Sequence, residues 1–86
     1  MAEVKVGKVS HYFSKIGVAA IRLTDGELRV GDTIHLVGHT TNLTQVVDSI
    51  QIEHQSVSSA AKGQDVGIRV KDHAREHDDV FVVVPE

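Results

Sequence analysis

With 86 residues and a mass of 9.3 kDa, the chain has material for one small domain and one core. Hydrophobic residues make up 41% and charged residues 24%, which excludes a disordered polyelectrolyte. Nine Lys and Arg against twelve Asp and Glu give a net charge of −3, which argues against a uniformly basic nucleic-acid or membrane-surface binder but leaves room for a local basic patch. With no Cys, disulfides, thiolate nucleophiles and Cys-based zinc sites are excluded.

The first segment, Met1 to Ser10, has no apolar stretch behind basic residues. The longest apolar runs, Val18 to Ile21 and Val80 to Val84, fall far short of the ~20 residues that span a bilayer. A cytoplasmic protein with no membrane partner is expected. The Asn42-Leu43-Thr44 sequon then has no glycosylation to report.

No linker or repeat divides the chain, and the sole Pro is Pro85, so residues 1–86 read as a single domain. Short β-rich runs recur between Gly and polar punctuation, the pattern of an all-β sandwich or barrel. Glu3 to Phe13 is the first run. Its apolar face shifts parity between Val6 and Val9 across Gly7, which predicts a β-bulge there. Ser14 to Gly17 is a turn, Val18 to Leu23 a central strand, and Asp25-Gly26 a second tight turn. Glu27 to Val30 reads as a connection before Gly31-Asp32. In the strand Thr33 to Val37, Ile34 and Leu36 share one face. A long strand is expected from Thr44 to His54, with Val46, Ile50 and Ile52 inward and Gln45, Ser49, Gln51 and Glu53 outward. Gln55 to Gln64 is polar, with room for one helical turn. Asp65 to Lys71 alternates cleanly, with Val66, Ile68 and Val70 on one side; Asp72 to Asp79 is a charged connection, and Val80 to Val84 closes the chain. Six strands without a covering helix are simplest as a closed, antiparallel-rich six-stranded barrel.

Several fragments imitate catalytic motifs. Gly26 to Thr33 matches a phosphate-binding loop except that Asp32 replaces the Lys, and a carboxylate there repels phosphate; no nucleotide is expected. His73-Ala74-Arg75-Glu76-His77 fits the His-x-x-Glu-His pattern of zinc proteases, but needs a helix where the sequence gives a short charged connection. His35 and His39 lie on a strand and its loop and share no helical face. Ser10 and His11, as neighbours on a strand, point to opposite sides. No catalytic residue, metal or cofactor is expected. Tyr12, Phe13 and Phe81 are the only aromatic residues of the Phe, Tyr and Trp class, a minimal stacking platform.

The segment Gly26 to Ile34, followed by His35-Leu36-Val37-Gly38, resembles the second domain of the translational GTPases, of elongation factor Tu type. Ala61 to Ile68 carries the same likeness, which extends from about Val6 to Val83. The chain is similar to stand-alone translation-factor-like barrels and to the C-terminal barrel of collagenase-like peptidases. This resemblance implies a closed six-stranded barrel, without the GTPase domain, that contacts the ribosome or tRNA. In the family the loop after the first strand is Gly-Arg-Gly-like; Ser14-Lys15-Ile16-Gly17 keeps one positive charge and replaces the first Gly. The function expected is a non-enzymatic module contacting RNA or a ribonucleoprotein through Lys8, His11, Lys15, Arg22, Arg69 and Lys71, by phosphate and backbone hydrogen bonds. The alternative is a protein-docking module, for which Ile16, Leu43 and Val57 would form an exposed apolar patch.

Overall fold

The computed structural model describes residues 2–84, which form ten strands and no helix. These are β1 (Ala2–Phe13), β2 (Val18–Arg22), β3 (Leu28–Arg29), β4 (Thr33–Val37), β5 (Asn42–Val46), β6 (Ile50–Ile52), β7 (Gln55–Val57), β8 (Ser59–Ala60), β9 (Asp65–Arg69) and β10 (Asp79–Val84). Eight of them make one antiparallel sheet in the order β5-β4-β10-β1-β2-β9-β6-β7, and β3 and β8 pair separately. The sheet rolls around Ile21, Leu23, Leu28, Ile34, Leu36, Ile50 and Ile68, all fully out of solvent. Each such side chain contributes about 1.5–3 kcal/mol on burial. No helix long and apolar enough to cross a membrane occurs among the described residues.

The bulge expected at Gly7 is present. Lys5 lies opposite Phe81 and Gly7 opposite Val80, leaving Val6 as the extra residue in β1. The bend lets one strand serve two neighbours: residues 2–8 pair with β10, and Lys8 to Phe13 with β2. A second shift, between Val9 and His11, was not signalled by the sequence.

The expected closed six-strand ladder differs from the structure. Among the described residues the backbone ladder stays open between β5 and β7, and the Gln45 side chain ties β5 to the end of β9 instead. Its Nε2 donates to the Arg69 carbonyl at 2.9 Å, and the Lys71 N–H donates to its Oε1 at 2.8 Å. Gln45 is therefore buried and Val46 exposed, the reverse of the expected facing. The predicted strand from Thr44 to His54 breaks accordingly, β5 ending at Val46 and β6 starting at Ile50. The polar stretch Gln55 to Gln64 holds β7 and β8 in place of a helical turn. Glu27 to Val30 holds β3, which pairs with β8.

On the outer face, His35 fastens three strands. Its Nε2 lies 2.6 Å from Asn42 Oδ1 on β5, and its Nδ1 lies 2.9 and 3.1 Å from the Glu3 carboxylate oxygens on β1. Oxygen acceptors on both ring nitrogens favour the doubly protonated imidazolium. The Asn42 bond raises the His35 pKa above its ordinary 6.5; Glu3 adds to this through its hydrogen bond and charge, and partial burial opposes both. Because the folded value is raised, the clamp's stabilisation is present in full below 6.5 and is lost as pH rises through the folded value. The urea midpoint is expected to fall across that window more steeply in the parent than in His35→Gln. Parallel curves would show that the clamp contributes nothing.

Candidate functional site

The molecule is 35 Å long and its two poles differ. Ala2 pairs with Val84, so both described ends of the chain meet at one pole. At the other stands the β1–β2 hairpin. Its turn is closed by the Ile16 and Gly17 N–H groups, which both donate to the Phe13 carbonyl, with Gly17 at φ 65°. The Val70 N–H donates to the Gly17 carbonyl, which ties the segment carrying Arg69 and Lys71 to the turn that carries Lys15. Residues 72–78 form the second wall. The buried Asp78 carboxylate accepts the Arg75 N–H at 2.8 Å, and the backbones of His77 and Asp78 bond to both sides of Val9.

These walls assemble four rings. His11 meets Phe13 edge-on with centroids 4.5 Å apart, and Tyr12 lies against His73 at the same separation. His11 Nδ1 also reaches Glu76 at 3.2 Å. Two shallow clefts flank the rings, one of about 260 Å³ against His73, Arg75 and Glu76 and one of about 320 Å³ against Phe13, Lys15 and Ile16. Phe13 is 46% and Ile16 64% exposed. Lys15 lines the second cleft and Arg75 the first, Arg69 and Lys71 flank Val70 in the segment bonded to Gly17, and against these four cations stand three carboxylates, Asp72, Glu76 and the buried Asp78. The arrangement can hold an anion and stack a planar group.

The sequence profile of elongation factor Tu domain 2 matches residues 17–80. The chain belongs to this family. It is 38% identical over 82 residues to an uncharacterized protease of Methanocaldococcus jannaschii, covering 94% of this chain and 20% of that protein. With a Porphyromonas gingivalis collagenase the identity is 41% over 80 residues, covering 92% of this chain and 19% of the collagenase. The domain thus spans about a fifth of the length of these curated relatives. Among solved structures, the C-terminal domain of a Geobacillus thermoleovorans protein assigned to the U32 peptidases superposes with a TM-score of 0.84 at 24% identity, covering 92% of this chain and 91% of that one. GDP-bound aIF5B from Aeropyrum pernix superposes with a TM-score of 0.68 at 19% identity, over 95% of this chain and 15% of that one. At these identities the two structures establish the fold alone.

Of the six residues singled out from the sequence, Lys15 lies in the β1–β2 turn and Arg69 and Lys71 in the segment whose backbone bonds to that turn, with no carboxylate within 4.0 Å of any of them among the described residues. His11 joins them, held by Glu76. Lys8 and Arg22 lie further along their strands and are paired, Lys8 with Asp79 at 3.5 Å and Arg22 with Asp65 at 3.8 Å. Sequence reasoning missed Arg75 and His73, because only the folded loop carries them to Tyr12. Leu43 and Val57 pack against the core, so they form no patch with Ile16.

The catalytic look-alikes have other roles. Asp32 accepts the Arg29 N–H at 2.9 Å and so closes a turn. Ser10 Oγ donates to the Ala20 carbonyl, while His11 Nδ1 engages Glu76. His73 and His77 lie on a loop, with His77 at φ 72°, and share no helical face.

Proposed function

We propose that this domain is a non-catalytic docking module of the cytoplasm that applies its hairpin pole to RNA, free or within a ribonucleoprotein. The supporting observation is that Lys15, Arg69 and Lys71, without acidic partners among the described residues, lie on segments bonded at the turn beside the exposed Phe13. Ammonium groups and one guanidinium suit phosphate oxygens, and the rings suit unstacked bases. The shallow clefts fit surface contact better than enclosure of a small molecule.

Such binding is weak and salt-sensitive. Anisotropy of a labelled single-stranded RNA at low salt is expected to report it, with log affinity falling linearly against log salt. Lys15→Glu with Lys71→Glu should lower affinity about tenfold or more and flatten the slope by about one to two units. Lys8→Glu, away from the pole, should change little. Undetectable binding at low salt, or binding indifferent to salt, defeats the proposal.

A second reading, docking on a protein, has specific support. The relatives 38% and 41% identical are named as a protease and a collagenase, and Ile16 adds apolar surface beside Phe13. A protein partner that survives nuclease treatment during affinity purification, and is lost on Ile16→Glu, would favour it.

A further inference from the structure

The opposite pole carries a surface of different chemistry. Ala2, Glu3, Val4 and Lys5 pair with Val84, Val83, Val82 and Phe81 on β10, whereas β2 joins β1 only from Lys8 onward. The Val6 carbonyl accepts the N–H groups of Asp25 and Gly26 at 3.0 and 3.2 Å. The chain leaving β2 therefore covers the edge at Val6 and, among the described residues, leaves it open from Ala2 to Lys5. Alternate residues of an antiparallel strand direct their N–H and C=O to opposite sides, so two of these four present both groups outward. Beside this edge lies a groove of about 370 Å³, floored by Val4, Val6, Val82 and Val84 and walled by Gly26, Glu27, Arg29 and Asp32. Val4 is 52% and Val84 41% exposed.

We propose that this edge and groove take an extended segment of another protein by strand addition. The segment adds about four residues to the sheet. Its apolar side chains enter the groove at alternate positions, and a Lys or Arg flanks them.

Three observations select that occupant over others. Backbone donors and acceptors in a row demand a strand, and an apolar floor alone would not. The wall has two carboxylates and one cation. Arg29 is spent on Glu27 at 3.2 Å, and Asp32 holds only a backbone N–H, so a basic flank complements what remains. A second copy of this chain does not fit. Two-fold antiparallel pairing about Glu3 sets two Glu3 carboxylates opposite each other. Pairing about Val4 puts Ala2 of one copy where Asp25 and Gly26 of the other already lie. The edge is also held in place before binding, since Glu3 is fixed by His35 and Lys5 by Asp79 at 3.3 Å.

The test is an amide-shift titration of the isotope-labelled 86-residue chain with a capped Lys-Val-Thr-Val-Thr-Lys peptide. Saturable shifts are expected at Ala2 to Lys5, Gly26 and Glu27. Val4→Lys and, separately, Glu27→Lys should each weaken binding about tenfold, the first by placing charge on the apolar floor and the second by like-charge repulsion. The unfolding midpoint of each variant confirms that it remains folded. Lys15→Glu with Lys71→Glu should leave peptide binding unchanged, separating this surface from the RNA-facing pole. The proposal is overturned by no edge shifts at millimolar peptide, by shifts confined to Ser14 to Gly17, by an equal response to a Gly-Ser peptide, or by sedimentation showing that the chain dimerises through this edge.

Discussion

Gly7→Ala is expected to lower the thermal midpoint by about 15 °C, from a loss of roughly 3 kcal/mol. The reason is contact and not backbone freedom. A Cβ at Gly7 would fall inside the Arg22 carbonyl oxygen, 3.0 Å from the Arg22 carbonyl carbon and 3.1 Å from Leu23 Cα. All three are backbone atoms of the chain that leaves β2, and that chain cannot retreat. Ile21 and Leu23 are fully buried on either side. Leu23 is also bonded in both directions, its N–H donating to the Gln64 carbonyl and its own carbonyl accepting the Gly63 N–H. Gly31→Ala is the contrast. That residue has φ 98° with nothing within 4 Å of the added carbon, so only the conformational cost of about 1 kcal/mol applies. Thermal unfolding followed by circular dichroism compares the two. Equal midpoints would show that β2 can shift and that the bulge tolerates a side chain.

The same bulge was legible in the sequence because Val6 and Val9 are apolar on opposite parities with a Gly between them. β4 and β9 were legible because Ile34 with Leu36, and Val66, Ile68 with Val70, leave one answer to the question of which face is buried. Val46-Val47 offers no such answer. Either residue could face inward, and the choice falls to Gln45, whose partners lie more than twenty residues away. The β6–β7 turn was hidden for a different reason. Glu53 and His54 take φ 50° and 66° without the Asn or Gly that announces such a turn. At the candidate pole, positive charge was readable residue by residue, but its neutralisation was not. Asp79 reaches Lys8 and Asp65 reaches Arg22 only through the fold, which leaves Lys15, Arg69 and Lys71 as the usable subset.

The two poles follow from how β1 is shared. Its second half pairs with β2, is bonded at Val9 by residues 77 and 78, and projects a hairpin whose turn is stitched to the end of β9, so segments distant in sequence meet there. Its first half has one neighbour and an apolar floor. The fold thus places a polar surface bearing Lys15, Arg69, Lys71 and Arg75 and an apolar, hydrogen-bonding surface at the two ends of β1. Two partners could be engaged there without steric conflict.

Gln45→Leu is expected to cost about 2–3 kcal/mol and to loosen the hairpin pole. Leu fills nearly the same volume, so the loss does not come from a cavity. It comes from leaving the Arg69 carbonyl and the Lys71 N–H without the partners that the amide supplies at 2.9 and 2.8 Å. Gln45 is 5% exposed, so water does not readily replace it. Gln45→Glu should cost more at neutral pH. The carboxylate still accepts from Lys71, but it has no donor for Arg69 and brings a charge into a buried position. The backbone freed in either variant is the backbone that carries Arg69 and Lys71, so RNA affinity should fall further than the unfolded fraction accounts for. Urea unfolding gives the stability, and hydrogen exchange of the Lys71 amide gives the local opening, which should become faster relative to the core amides of Ile21 and Ile68. If Gln45→Leu kept the parent midpoint and the Lys71 amide stayed protected, apolar packing alone would be holding β5 against β9. The amide would then be a passenger in the gap it spans.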